Sequence, residues 1–103
     1  MITNKFELKS GRWVTKKKAK DDLFYDVNMA TWLPTGVNLS SVVSAVANGV
    51  TISVAPVIQG TKVIVKLSGL DLVDGAVNNC IIELLMSNSE TVTVTMWFEK
   101  APG

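Results

Sequence analysis

Apolar and polar positions alternate over most of the second half of this chain and over one segment before it. Leu23, Tyr25, Val27 and Met29 alternate with Phe24, Asp26 and Asn28. A period of two puts successive side chains on opposite faces of a strand, so this segment reads as a strand stopped by the Leu33-Pro34-Thr35-Gly36 turn. Val50, Ile52 and Val54 alternate with Thr51, Ser53 and Ala55 between Gly49 and Gly60, and the first three are expected on a buried face. Val63, Val65 and Leu67 alternate with Lys62, Ile64 and Lys66, and this strand ends at Ser68-Gly69. Residues 79–86 set Cys80, Ile82, Leu84 and Met86 against Ile81, Glu83 and Leu85, a strand partly covered on both faces. The clearest strand is the last. Val92, Val94, Met96 and Phe98 face one way and Thr91, Thr93, Thr95 and Trp97 the other, after a hairpin turn at Ser87-Asn88-Ser89-Glu90.

Residues 38–48 would suit a short helix capped near Ser40, but β-branched Val42, Val43 and Val46 favour a strand. Six or seven short strands at regular spacing predict an all-β domain, an immunoglobulin-like β-sandwich. It lacks the Cys-Trp-Cys signature of antibody domains, and a small closed barrel is the alternative. The single cysteine, Cys80, allows no internal disulfide and reads as a buried structural thiol.

Charge changes the picture at the N-terminus. The first twenty residues hold seven basic side chains (Lys5, Lys9, Arg12, Lys16, Lys17, Lys18 and Lys20) against Glu7, a net +6. After them, Lys62, Lys66 and Lys100 oppose eight acids, a net −5, so the overall +1 hides a basic arm and an acidic body. Residues 1–20 are therefore expected to form an extended basic arm, and residues 21–103 the sandwich. The arm of one copy is complementary to the body of the next, which points to a homo-oligomer. No apolar run approaches the ~20 residues of a membrane-spanning helix, and Met-Ile-Thr-Asn-Lys-Phe-Glu has no secretory apolar region, so folding in a cytoplasm is expected.

The chain has no histidine, which removes Ser-His-Asp and Cys-His nucleophile systems and the commonest metal ligand. Asp71 and Asp74 lie in Gly69-Leu70-Asp71-Leu72-Val73-Asp74-Gly75, which lacks the dense oxygen spacing of a calcium loop and reads as a solvated turn. No glycine pattern suited to phosphate occurs. No enzyme activity, metal or cofactor is expected.

The run Lys20-Asp21-Asp22-Leu23-Phe24-Tyr25-Asp26-Val27-Asn28-Met29-Ala30-Thr31-Trp32-Leu33, followed by Val37-Asn38-Leu39, resembles the opening of a small immunoglobulin-like domain of tailed-phage virion proteins. Leu23, Tyr25, Val27, Trp32 and Leu33 stand at the matching positions. Asn28 replaces the usual Asp of that pattern, and Met29 the usual first Trp. Ile64-Val65-Lys66-Leu67-Ser68-Gly69 is similar to its central strand, and residues 82–97 to its closing hairpin. The resemblance spans residues 20–99. It implies a virion structural role, assembled in the host cytoplasm, such as capsid decoration, a head fibre or a neck or tail component, with other virion proteins and copies of itself as partners.

Candidate partner-binding residues follow from the arm. Phe6, Leu8, Trp13 and Val14 would fill shallow pockets on a neighbour while Arg12, Lys16, Lys17, Lys18 and Lys20 meet carboxylates. A solvated tail is the competing reading. Contact with nucleic acid is disfavoured, because no reader motif accompanies the lysines. Tyr25 and Trp32 are expected in the core or at its edge, with Trp32 covering one end. Trp97, on the threonine face, is expected to lie against the arm or a neighbouring subunit. Stacking on a host-surface glycan is the alternative, weakened by Trp97 standing alone in the sequence.

Overall fold

In a computed structural model the described residues are 4–5, 7–9 and 12–101, with side chains from Trp13 onward. Nine strands form among the described residues: β1 (Asn4–Lys5), β2 (Glu7–Lys9), β3 (Arg12–Lys17), β4 (Leu23–Asn28), β5 (Leu39–Asn48), β6 (Thr51–Gln59), β7 (Lys62–Ser68), β8 (Asn79–Met86) and β9 (Thr91–Lys100). They make two sheets, a four-stranded sheet in the order β1-β4-β7-β6 and a five-stranded sheet in the order β2-β3-β9-β8-β5. The expected all-β sandwich is what forms, as two separate sheets rather than one closed barrel, and no helix occurs among the described residues. Residues 39–48, where helix and strand competed, are strand, consistent with the stiffness of their valines.

Inward faces follow the alternation. Tyr25, Val27, Val63, Val65 and Leu67 from one sheet meet Cys80, Ile82, Leu84, Val94, Met96 and Phe98 from the other, all buried. Tyr25 and Phe98 pack edge-to-face with ring centroids 5.1 Å apart across the two sheets. Cys80 is fully buried within this core, and desolvation pushes its thiol up to about 11.

One expected inward position is reversed. The alternation sets Val54 with Val50 and Ile52 on the buried face, yet it is exposed. β6 loses register with β7 between Ile52 and Val54 and again between Val54 and Val57. A bulge adds a residue, and each added residue swaps the faces beyond it.

The N-terminal segment enters the fold more than its charge suggests. β3 pairs parallel with β9 from Trp13 opposite Met96 to Lys17 opposite Lys100, so residues 12–17 of the expected arm are a strand of the five-stranded sheet. Lys17 is fully buried, and its Nζ donates to the carbonyls of Lys18 and Asp21. Burial lowers its pKa, against the opposing pull of Asp21 and Asp22. The Lys18 N–H donates to Asp21 Oδ2 at 3.0 Å, closing the turn that leads into β4.

Candidate functional site

The feature that the fold assembles is a groove lined by all three tryptophans. Trp13, Trp32 and Trp97 line it with Met29 and the stretch Val92–Thr95 of β9, and its volume is about 340 Å³. Each ring arrives by a different route. Trp13 is half-buried near the start of β3 and packs on the core. Trp97 is half-buried on β9, opposite Val14 of β3 on one side and Asn79 of β8 on the other.

Trp32 stands on the turn after β4 and is 56% exposed, so it rims the groove instead of sealing one end of the core. That turn is held firmly. The buried Met29 donates its N–H to Thr61 O at 2.8 Å, and Trp32 and Leu33 donate theirs back to Met29 O at 2.9 and 3.1 Å. Asn28 Oδ1 accepts from the Ala30 N–H at 3.0 Å and from Thr61 Oγ1 at 2.8 Å, the local capping that Asx side chains supply at turns. Trp32 therefore meets Trp13 edge-on, with centroids 6.5 Å apart and planes at 62°.

The floor of the groove is a stretch of β9 that β3 does not reach. β3 covers β9 only from Met96 onward, and among the described residues no strand pairs with Thr91–Thr95 on that side. Strand geometry sets which groups point there. The Phe98 N–H donates to Asn78 O beside β8, and the Ala101 N–H donates to Lys17 O beside β3. Alternation then turns the amide and carbonyl of Thr93 toward the groove. The site thus combines aromatic walls with backbone hydrogen-bonding groups and threonine hydroxyls, and among the described side chains no charged one lines it.

The outer face of the five-stranded sheet continues from this groove. Thr95 stands opposite Ile81, which stands opposite Val46, and Thr91 stands opposite Leu85. Glu83 is the acidic member of that face on β8, between Ser44 and Thr93.

The other expected partner-binding residues are scattered. Phe6 lies outside the described residues, and of Leu8 and Arg12 the backbone alone is described, in β2 and β3. Lys16 and Lys20 are exposed, Lys18 is half-buried, and Lys17 points into the protein. Trp32 and the open stretch of β9 were not among the expected site residues. No signal in the sequence links Trp32 to Trp97, because their meeting depends on where the turn after β4 docks. Asp71 and Asp74 lie exposed in a loop ordered by Asn78, which accepts from the Asp71 N–H at 2.7 Å and donates to Asp71 O at 3.0 Å. No acidic or thiol cluster able to hold a metal ion occurs among the described residues. No family model, curated protein or solved structure matches the chain.

Proposed function

We propose that this protein is a non-enzymatic structural protein of a tailed-phage virion, a capsid-decoration, head-fibre, neck or tail component that assembles through its N-terminal segment and its sheet surface. The observation that carries this reading is the tryptophan groove with a stretch of β9 that no strand among the described residues pairs on that side. Large aromatics beside open strand groups suit docking of another polypeptide, since rings supply apolar area while the strand edge supplies directional bonds. Exposed Lys16 and Lys20, toward the far end of β3 and in the turn after it, would add a positive field that attracts an acidic partner. Repetition over a particle would turn modest contacts into firm attachment.

The test is quantitative mass spectrometry of purified virions from cells making the protein, beside particles from cells making the Trp32→Ala variant. A fixed copy number that falls with Trp32→Ala supports the proposal. Absence of the protein from particles overturns it.

A glycan-binding module is the second reading. Trp97 does not stand alone, because the fold brings Trp13 and Trp32 to the same groove as Thr93 and Thr95. Ring stacking flanked by hydroxyls is chemistry that a pyranose face would accept. Saturable binding to immobilised host-surface polysaccharide, lost in Trp32→Ala while particle content is unchanged, would favour this reading over the first.

A further inference from the structure

β9 is paired unevenly along its two edges. β8 follows one edge from Trp97 back to Thr91, whereas β3 on the other begins at Met96 and runs on to Lys100. Among the described residues nothing pairs with Thr91–Thr95 on the β3 side, a stretch of about 17 Å at ~3.4 Å per residue. The alternation that turns the amide and carbonyl of Thr93 toward the groove turns those of Thr91 the same way. The valines between these threonines point inward. Val94 is buried, while Val92 is half-buried and lines the groove with Met29 and the largely exposed Trp32.

We infer that the groove is a strand-acceptor site, in which an extended segment of a partner protein adds to β9 along Thr91–Thr95, end to end with β3. This inference rests on the docking reading above and names the occupant. Three observations favour a peptide strand. Thr93 offers a donor and an acceptor from one residue, and Thr91 repeats the pair two residues away, which is the period at which another strand presents its own amides and carbonyls. β3 already occupies the continuation of the same edge, so the sheet accepts a strand there. No charged side chain among those described lines the groove, which suits apolar side chains entering it.

Strand geometry also sets the sequence that fits. A residue opposite Thr93 shares the outer face with Thr91, Thr95 and Trp97, where threonine or another β-branched residue packs well. Its two neighbours stand opposite Val92 and Val94 and turn inward, against Trp13, Met29 and Trp32. The recognised pattern is therefore apolar, β-branched, apolar over three successive residues, with main-chain bonds supplying affinity and the inward pair supplying specificity.

The test uses the full chain and a capped peptide without tryptophan, Lys-Val-Thr-Val-Thr-Val-Lys. Because Trp13, Trp32 and Trp97 all line the groove, titration is expected to saturate with a blue shift of tryptophan emission and to slow hydrogen exchange at the Thr93 amide. N-methylation of the peptide at its valines or at its threonines separates strand addition from undirected apolar contact, since one set of amides faces β9 and the other faces away. One methylated peptide is expected to bind at least roughly tenfold more weakly and the other like the parent. On the protein side, Thr93→Pro removes an N–H that no described group accepts, and Trp32→Ala removes a wall of the groove. Each is expected to weaken binding at least roughly tenfold, with circular dichroism showing that the variants stay folded.

No binding up to about 1 mM peptide overturns the inference, as do equal effects of the two methylated peptides. A free chain that dimerises and returns to monomer with Thr93→Pro also overturns it, by assigning the edge to a second copy. Particle content separates this inference from the reading it rests on. Incorporation that falls with Trp32→Ala and ignores Thr93→Pro removes the added strand alone, whereas strand-like peptide binding by a protein absent from particles removes the virion role alone.

Discussion

Replacing Gly49 by alanine probes the joint between the edge strands β5 and β6. Gly49 has φ +75°, and a Cβ built there would lie 2.4 Å from Asn78 Oδ1 and 2.6 Å from Val77 O. Left-handed backbone costs a residue with a Cβ about 1–2 kcal/mol. Asn78 is buried and would have to swing away, giving up its two bonds to Asp71, each worth about 1 kcal/mol and more where a buried polar group is stranded. The Val77 carbonyl belongs to the backbone and cannot rotate aside as a side chain does, which forces the Gly49 turn and the start of β8 apart. The sum is about 4 kcal/mol, a large share of the ~5–15 kcal/mol that holds a domain of this size. Gly60→Ala is the matched control. Its φ is +62° but nothing lies within 4 Å of the added methyl, so only the backbone cost of about 1 kcal/mol applies. Urea denaturation of both variants checks this through the shift in midpoint at constant slope. A Gly49→Ala loss no greater than that of Gly60→Ala would refute the close approach of Gly49 to Asn78.

Three further outcomes are expected. Lys17→Ala should lose about 2–3 kcal/mol in thermal melts because it empties a fully buried site, whereas Lys16→Ala, one position away and exposed, should stay within about 0.5 kcal/mol. Alkali should destabilise the fold, because burial raises the Cys80 thiol to about 11 and, with help from Asp21 and Asp22, the Tyr25 hydroxyl to about 12. Both groups keep their protons in the folded chain after the unfolded chain has begun to lose them near pH 9 and 10. Each therefore withdraws up to about 2–3 kcal/mol as pH climbs to its folded value. Lys17 works in the opposite sense, gaining stability as pH rises toward 10.5, so Cys80→Ala should flatten the loss seen in urea titrations above pH 9. Trp32→Ala should leave the melting temperature within a few degrees and shift the remaining tryptophan emission to the red, since it removes an exposed wall from beside Trp13.

Alternation was sufficient to identify strands wherever pairing is regular. In β7 and β9 it placed Val63, Val65, Leu67, Val94, Met96 and Phe98 inward, because a sandwich with a two-residue repeat has one core face to fill. It failed at Val54, where two bulges shift the register in response to the partner strand. It also left Asp26 and Ile64 on outward faces. Both are buried, opposite one another in the β4–β7 pair, with Lys62 Nζ 3.9 Å from Asp26 Oδ2. A strand pattern says which way a side chain points and nothing of what lies over it.

The basic run shows the same limit from the charge side. Lys16, Lys17, Lys18 and Lys20 are equivalent in a sequence, and a solvated or partner-seeking arm was the natural expectation. Parallel pairing with β9, some eighty residues away, distinguishes them by turning Lys17 inward and Lys16 outward. The candidate site was less legible still. Trp13 and Trp97 were expected to meet partners separately, and Trp32 to cover an end of the core.

By itself, then, the order of residues determined the class of fold, the inward faces of its regular strands and the neutrality of the stretch between Asp26 and Lys62, because these depend on local period and composition. Tertiary structure alone decided that three distant tryptophans share one groove, that β3 as described stops short of part of β9 beside them, and that the uncharged stretch supplies an edge strand to each sheet. Those outcomes depend on strand order and on where each strand ends, and non-local pairing leaves no period in the chain.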